Sequence, residues 1–91
     1  FPESAYSDNA RYWIGEIYYA QKMYKEAFDE FKKVLENYPG GDKVPAALLK
    51  MGYSLINLDK PDEAKHYFNQ LLQKYPGSNE AALAQDRLER M

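Results

Sequence analysis

The side chains that could carry catalysis are few, and they do not converge. His66 is the single histidine and cysteine is absent, so thiolate nucleophiles, disulfides, sulfur-ligated metal sites and histidine pairs are all ruled out. His66 falls two residues after Ala64, on the outer face of its helix, where a solvated imidazole is the expectation. The stretch Gly40-Gly41-Asp42-Lys43 has the residue types of a phosphate loop. It lacks the Gly-x4-Gly-Lys-Ser/Thr spacing and follows a helical segment rather than a strand, so it reads as a turn. The acidic pairs Asp29-Glu30 and Asp62-Glu63 have no ligands at metal spacing, and the second suits a helix first turn. No cofactor, metal or catalytic activity is expected.

Tyrosine offers more. The chain carries nine in 91 residues, and aromatics reach 15%. A tyrosine joins a broad apolar face to a polar tip, which suits helix seams and partner-binding surfaces. The balance of 12 Lys plus Arg against 14 Asp plus Glu, formally −2, lacks the basic excess of a nucleic-acid binder. With 45% apolar and 29% charged residues, the chain has enough hydrophobicity to fold and too much charge for a membrane protein. No apolar run reaches the roughly 18 residues of a membrane span, so direct membrane insertion is not expected. The opening Phe1-Pro2-Glu3-Ser4 has neither an initiating Met nor a signal pattern, as expected of a piece of a longer chain.

The elements that must position the tyrosines come from an internal repeat. Phe1-Pro2, Tyr38-Pro39 and Tyr75-Pro76 are aromatic-Pro pairs 37 residues apart (39 − 2 and 76 − 39). The same shift superposes Ala10 on Ala47 and Ala84, Gly15 on Gly52, Glu26-Ala27 on Glu63-Ala64, Phe31 on Phe68 and Leu35 on Leu72. Chance matches would not preserve both identity and helical spacing. Within each unit apolar residues recur every three or four positions, as Ala10, Ile14, Ile17 and Tyr18 do, then Ala27, Phe31, Val34, Leu35 and Tyr38, so each unit is two amphipathic helices. Ser4 and Ser78 are plausible N-caps, and Asp59 precedes a Pro- and acid-rich first turn. Tyr-Pro-Gly steps at 38–40 and 75–77 stop helices, through the proline and the freedom of the glycine. This predicts five helices, near 5–21, 24–38, 43–57, 61–75 and 79–90, and no strand.

The order Ile14-Gly15-x2-Tyr18, Ala27-x3-Phe31, Pro39, repeated as Met51-Gly52-x2-Leu55, Ala64-x3-Phe68, Pro76, resembles the tetratricopeptide signature. The resemblance implies an all-α helix-turn-helix solenoid of two pairs plus a C-terminal capping helix. As one domain over 1–91, repeat one runs over about 4–39, repeat two over about 41–76 and the cap over about 78–91. Gly15, Ala27, Gly52 and Ala64 then lack bulk where helices cross, and Phe31 and Phe68 fill the space beside them. Arg11 and Leu48 stand at the usual Trp position, and the three residues beyond the common period of about 34 are expected between Pro39 and the next helix. Stacked pairs line a concave wall with their first helices. The wall is predicted to present Asn9, Tyr12, Glu16 and Tyr19, then Ala46, Leu49, Tyr53 and Asn57, then Leu83, Asp86 and Arg90, with the tyrosines and Leu49 partly open to solvent. That strip suits an extended peptide or a partner helix. It lacks the Lys and Asn set with which chaperone-binding relatives clamp a C-terminal carboxylate. Trp13, Ile17 and Tyr6 are expected to face a preceding helix, leaving an edge through which the fragment self-associates or loses stability.

A closer resemblance rests on Phe-Pro-x-Ser-x-Tyr-x-x-Asn-Ala at 1–10, Tyr-Trp-Ile-Gly-Glu-Ile-Tyr-Tyr-Ala-Gln at 12–21, Lys-Val-Pro-Ala-Ala-Leu-Leu-Lys-Met-Gly-Tyr-Ser-Leu at 43–55 and Ala-Ala-Leu-Ala-Gln-Asp-Arg-Leu at 81–88. Together these resemble the C-terminal tetratricopeptide domain of the Tol-Pal system coordinator family (YbgF/CpoB). The resemblance implies a periplasmic, non-catalytic interaction module of Gram-negative bacteria that binds TolA and coordinates envelope constriction at cell division. That family's coiled coil and first helix pair are missing here, so trimerisation does not carry over. The alternatives are the lipoprotein scaffold of outer-membrane protein assembly, whose repeats also end in Tyr-Pro-x-Ser, and a purely structural or oligomerising repeat.

Overall fold

The computed structural model describes residues 8–91. It contains α1 (Asp8–Ala20), α2 (Tyr24–Asn37), α3 (Val44–Asn57), α4 (Pro61–Lys74) and α5 (Asn79–Arg90), each packed on the next, with α3 also touching α1 and α5. No strand occurs among the described residues. The expected helices are present, with ends within a residue or two of the predicted ones where the structure describes them. The expected start of the first helix, the Ser4 cap, the Phe1-Pro2 marker and Tyr6 lie outside the described residues.

The two hairpins turn through the same device. Lys22 and Asp59, one repeat apart, take left-handed φ values of 64° and 63°. In the first turn Met23 N–H donates to the Tyr18 carbonyl at 2.9 Å and Lys22 N–H to that of Tyr19 at 3.0 Å. In the second, Lys60 donates to Leu55 at 2.8 Å and Asp59 to Ile56 at 3.0 Å. This paired closure satisfies carbonyls that a helix end otherwise leaves open. Asp59 therefore shapes the turn, and the residue preceding α4 is Lys60, with no side-chain cap. Pro61 with Asp62 and Glu63 supplies the first turn of α4 as expected.

Between repeats the stop is made by proline alone. Tyr38 and Tyr75 leave the helical region at the ends of α2 and α4, with φ, ψ of −135°, 60° and −133°, 55°, as the following proline disfavours helical backbone in the residue before it. No glycine among the described residues takes a positive φ, so Gly40 and Gly77 do not release the chain in the way the sequence led us to expect. Gly41 and Ser78 occupy equivalent places, each donating its N–H to the preceding Tyr carbonyl, at 2.9 and 3.1 Å. Ser78 then caps α5 directly, its Oγ accepting from Ala81 N–H at 3.0 Å and donating to the Tyr75 carbonyl at 2.8 Å. Gly41 has no side chain to do this, and α3 begins only at Val44, with Pro45 in its first turn. The longer connection after Pro39 follows from that difference.

The core is the crossing of first and second helices in each hairpin. Gly15, Ala27, Phe31, Gly52, Ala64 and Phe68 are all buried, and the two Phe rings are fully so, each contributing about 1.5–3 kcal/mol of transfer free energy. A Cβ at Gly15 would stand 2.6 Å from Phe31 Cε1, and one at Gly52 would overlap Phe68 still more. At the usual Trp position Leu48 is fully buried. Arg11, its counterpart, crosses instead to Glu30 on α2 at 3.4 Å, and Lys33 reaches the same carboxylate at 3.3 Å.

Candidate partner-binding groove

Three first helices, α1, α3 and α5, carry the predicted strip, and the structure draws two of its residues inward. Tyr12 is only 7% exposed, its ring centroid 5.5 Å from that of Phe31. Leu49, the equivalent of Tyr12, is 5% exposed. Both therefore belong to the core rather than to an open surface, a correction with a simple cause. Large apolar groups next to a crossing occupied by Phe are drawn into it, and the residue one place later swings outward. Those later residues are Trp13 and Lys50, and Arg87 is their equivalent on α5, where the predicted Asp86 stays exposed; neither Lys50 nor Arg87 was expected on the wall.

Around them the surface is tied together across helices. Lys50 on α3 pairs with Glu16 on α1 at 3.2 Å, while its ammonium also lies 4.8 Å from the Tyr19 ring centre and 6.0 Å from that of Tyr53. Glu16 accepts from the Tyr12 hydroxyl at 3.0 Å. Asn57 donates to the Tyr19 hydroxyl at 3.2 Å and to the Tyr53 carbonyl at 3.0 Å. Arg87 on α5 covers the Tyr53 ring at 4.6 Å, and Tyr53 meets Phe68 edge-on at 5.9 Å. Lys43 lies over the rings of Tyr12 and Trp13, at 5.1 and 5.4 Å. Each cation-ring contact is worth about 0.5–1 kcal/mol when exposed and more when desolvated.

Of the other predicted strip residues, Ala46 is half-buried, while Asn9, Asn57, Leu83, Asp86 and Arg90 are exposed. Asp86 and Arg90 are paired with each other at 3.3 Å along α5. Tyr19 and Tyr53 are half-buried, and Tyr19 also meets Tyr24 edge-on at 5.3 Å. Burial first, then the charge and hydrogen bond of Glu16, hold the Tyr12 phenol well above its ordinary range. Burial likewise raises Tyr19, with the nearby Tyr24 adding and the Asn57 hydrogen bond and Arg87 charge opposing. Both stay neutral donors and acceptors at physiological pH.

Elsewhere the described residues hold no cluster of three His, Cys, Asp or Glu able to grip a metal. His66 is exposed and meets Tyr67 edge-on at 5.1 Å. The open depression beside it is lined by His66, Asn69, Gln70, Gln73 and Lys74, all from α4, so no second element brings an acid, base or nucleophile to it. No helix among the described residues is long and apolar enough to cross a membrane.

Comparison with known proteins agrees with this geometry. The chain is 33% identical over 70 residues to the outer membrane protein assembly factor BamD of Rickettsia prowazekii (strain Madrid E), an alignment covering 77% of this chain and 28% of that protein. The chain thus spans little more than a quarter of the length of that relative. The sequence profile of the tetratricopeptide repeat matches residues 9–41 and 46–78, two blocks that each hold one helix hairpin. Their glycine-on-phenylalanine crossings are the ones described above, and the chain belongs to the tetratricopeptide repeat family.

Proposed function

We propose that this chain is a non-catalytic protein-binding module of the bacterial cell envelope, which takes a segment of another protein along the surface made by α1, α3 and α5. One observation carries the reading: Lys50–Glu16, Asn57–Tyr19 and Arg87–Tyr53 join three separate helices into one surface. A surface so fixed loses little entropy when a ligand settles on it. Repeats of this family stack into solenoids that present such extended walls. The Tol-Pal coordinator reading names the partner as TolA and the compartment as the periplasm, on the resemblance of residues 1–21, 43–55 and 81–88. Calorimetry of the complete tetratricopeptide domain against periplasmic segments of TolA tests it, and an absence of heat with every segment removes it.

The likeness to an outer membrane protein assembly factor favours a second reading, a scaffold in that assembly. Co-purification with outer-membrane assembly components, and not with TolA, would select it. Both readings place the protein in the envelope and both use the same wall. A second contact concerns α1, where Trp13 and Ile17 are 52% and 58% exposed. Met51 and Ser54, the counterparts of Ile14 and Ile17 on α3, are fully buried, so this helix face is built to be covered. We place self-association there, and sedimentation that stays monomeric across a concentration series excludes it.

A further inference from the structure

Among the cations on the groove, Arg87 stands apart. Lys50 is neutralised by Glu16 at 3.2 Å and Arg90 by Asp86 at 3.3 Å. Arg87 has no carboxylate within ion-pair distance among the described residues. Its guanidinium lies 4.6 Å from the Tyr53 ring centre, and that ring is itself held edge-on against the fully buried Phe68. A guanidinium stacked on a fixed aromatic face keeps its in-plane N–H donors free and loses little freedom on pairing. The hydroxyl of Tyr19, which feels the Arg87 charge, accepts from Asn57 at 3.2 Å and so has its own proton to give. Arg87 thus brings N–H donors to the strip that no acceptor among the described residues takes.

We infer that Arg87, seated on Tyr53, receives an aspartate or glutamate side chain of the docked segment. The inference rests on the groove reading and specifies its partner as a segment with an acidic residue among apolar ones. A planar carboxylate fits the guanidinium fork through two parallel hydrogen bonds. The surrounding Tyr faces accept the flanking apolar side chains. An internal side chain is favoured over a chain terminus, because Arg87 is one unpaired charge in an open strip and Lys50 is already spent on Glu16.

The test is selection from a display library of random peptides about a dozen residues long, each joined to its carrier through its C-terminus so that no free terminal carboxylate is offered. Selected sequences should share one Asp or Glu, and synthetic amidated copies should lose about tenfold or more in affinity to Arg87→Gln. Replacing the shared acid by its amide in the peptide should cost wild-type protein a similar factor and cost Arg87→Gln nothing further. The wild-type half of this second measurement needs no protein variant, so it stands even if Arg87→Gln folds poorly. Selected peptides without a shared acid, or unchanged affinity in Arg87→Gln, would overturn the inference while leaving the groove intact. A library that yields no binder at all overturns the groove reading and this inference together.

Discussion

Replacing Gly52 by Ala should destabilise the chain even though alanine is the better helix former. Alanine for glycine in a helix interior gains about 0.8–1 kcal/mol. Here the new methyl would lie 2.6 Å from Phe68 Cζ and 2.8 Å from Cδ1, and closer still to Cε1. Those atoms belong to a fully buried ring with Ala64 and Leu71 also fully buried in the same core, so the ring has no open side toward which to turn. Overpacking costs about 1–3 kcal/mol, and contacts this short belong at the upper end, which leaves a net loss of about 2 kcal/mol. For a domain of this size the thermal midpoint falls by about 4–8 °C per kcal/mol. Urea unfolding followed by far-ultraviolet circular dichroism measures it. The companion experiment places Gly52→Ala in a Phe68→Leu background, where the ring is gone and the substitution should become neutral or stabilising. A neutral or raised midpoint for Gly52→Ala alone, or an equal loss in both backgrounds, would refute the crossing geometry. Gly15→Ala should cost less, because α1 exposes Ile14 and Ile17 on its other side and can shift away from Phe31.

Lys22→Gly should stabilise by about 0.5–1 kcal/mol by relieving a left-handed backbone, and Asp59→Gly by less, since aspartate tolerates that region better than lysine; denaturant midpoints compare them. Ser54 is fully buried with an Oγ that has no hydrogen-bond partner among the described residues, so Ser54→Ala should raise stability by about 1 kcal/mol, and a loss on the same measurement would reveal a partner for the hydroxyl. Tyr12 and Tyr19 hold their protons above the ordinary phenol range, whereas in the unfolded chain they release them near about pH 10. The native state therefore binds more protons above that pH, and its stability, complete below it, should fall as pH climbs through the raised native values. Ultraviolet difference titration should show late-ionising tyrosines, one of which shifts earlier in Glu16→Gln.

Most of the fold was legible because its determinants are local and occur twice. The aromatic-Pro stops, the Gly and Ala pairs and the Phe residues each state the same packing rule 37 residues apart, and a rule stated twice is hard to mistake. The turns were less legible: Lys22 and Asp59 adopt a backbone that usually signals itself with glycine, and the glycines that drew notice, Gly40 and Gly77, do not use it. On the groove, a helix face is read by spacing alone to about one residue, some 100° of rotation. Choosing Tyr12 and Leu49 treated large amphipathic or apolar residues as surface. The crossing beside Phe31 and Phe68 claimed them, and Trp13 and Lys50, one place later, became the surface instead. The register of Trp13, Lys50 and Arg87 was available from the same 37-residue shift that located the repeat.

That register explains where a repeat protein can store specificity. Positions at the crossings cannot vary without strain, since a Cβ added at Gly15 or Gly52 would run into equivalent Phe rings, and they are identical in the two units. Positions one step outward face no such constraint and differ sharply: Trp13 becomes Lys50 and then Arg87, Glu16 becomes Tyr53 and then Arg90, Tyr19 becomes Ile56. If the first helices only spaced the second ones apart, charges and rings at these places would have no reason to meet across helices. They do meet, carboxylate to ammonium between α1 and α3 and guanidinium to ring between α3 and α5. The departures from the repeat are therefore complementary to one another, and complementarity of that kind fixes a surface in one arrangement. On the proposed reading, that surface would discriminate among partners, because a segment that leaves Arg87 unpaired would forfeit hydrogen bonds that an acidic one makes.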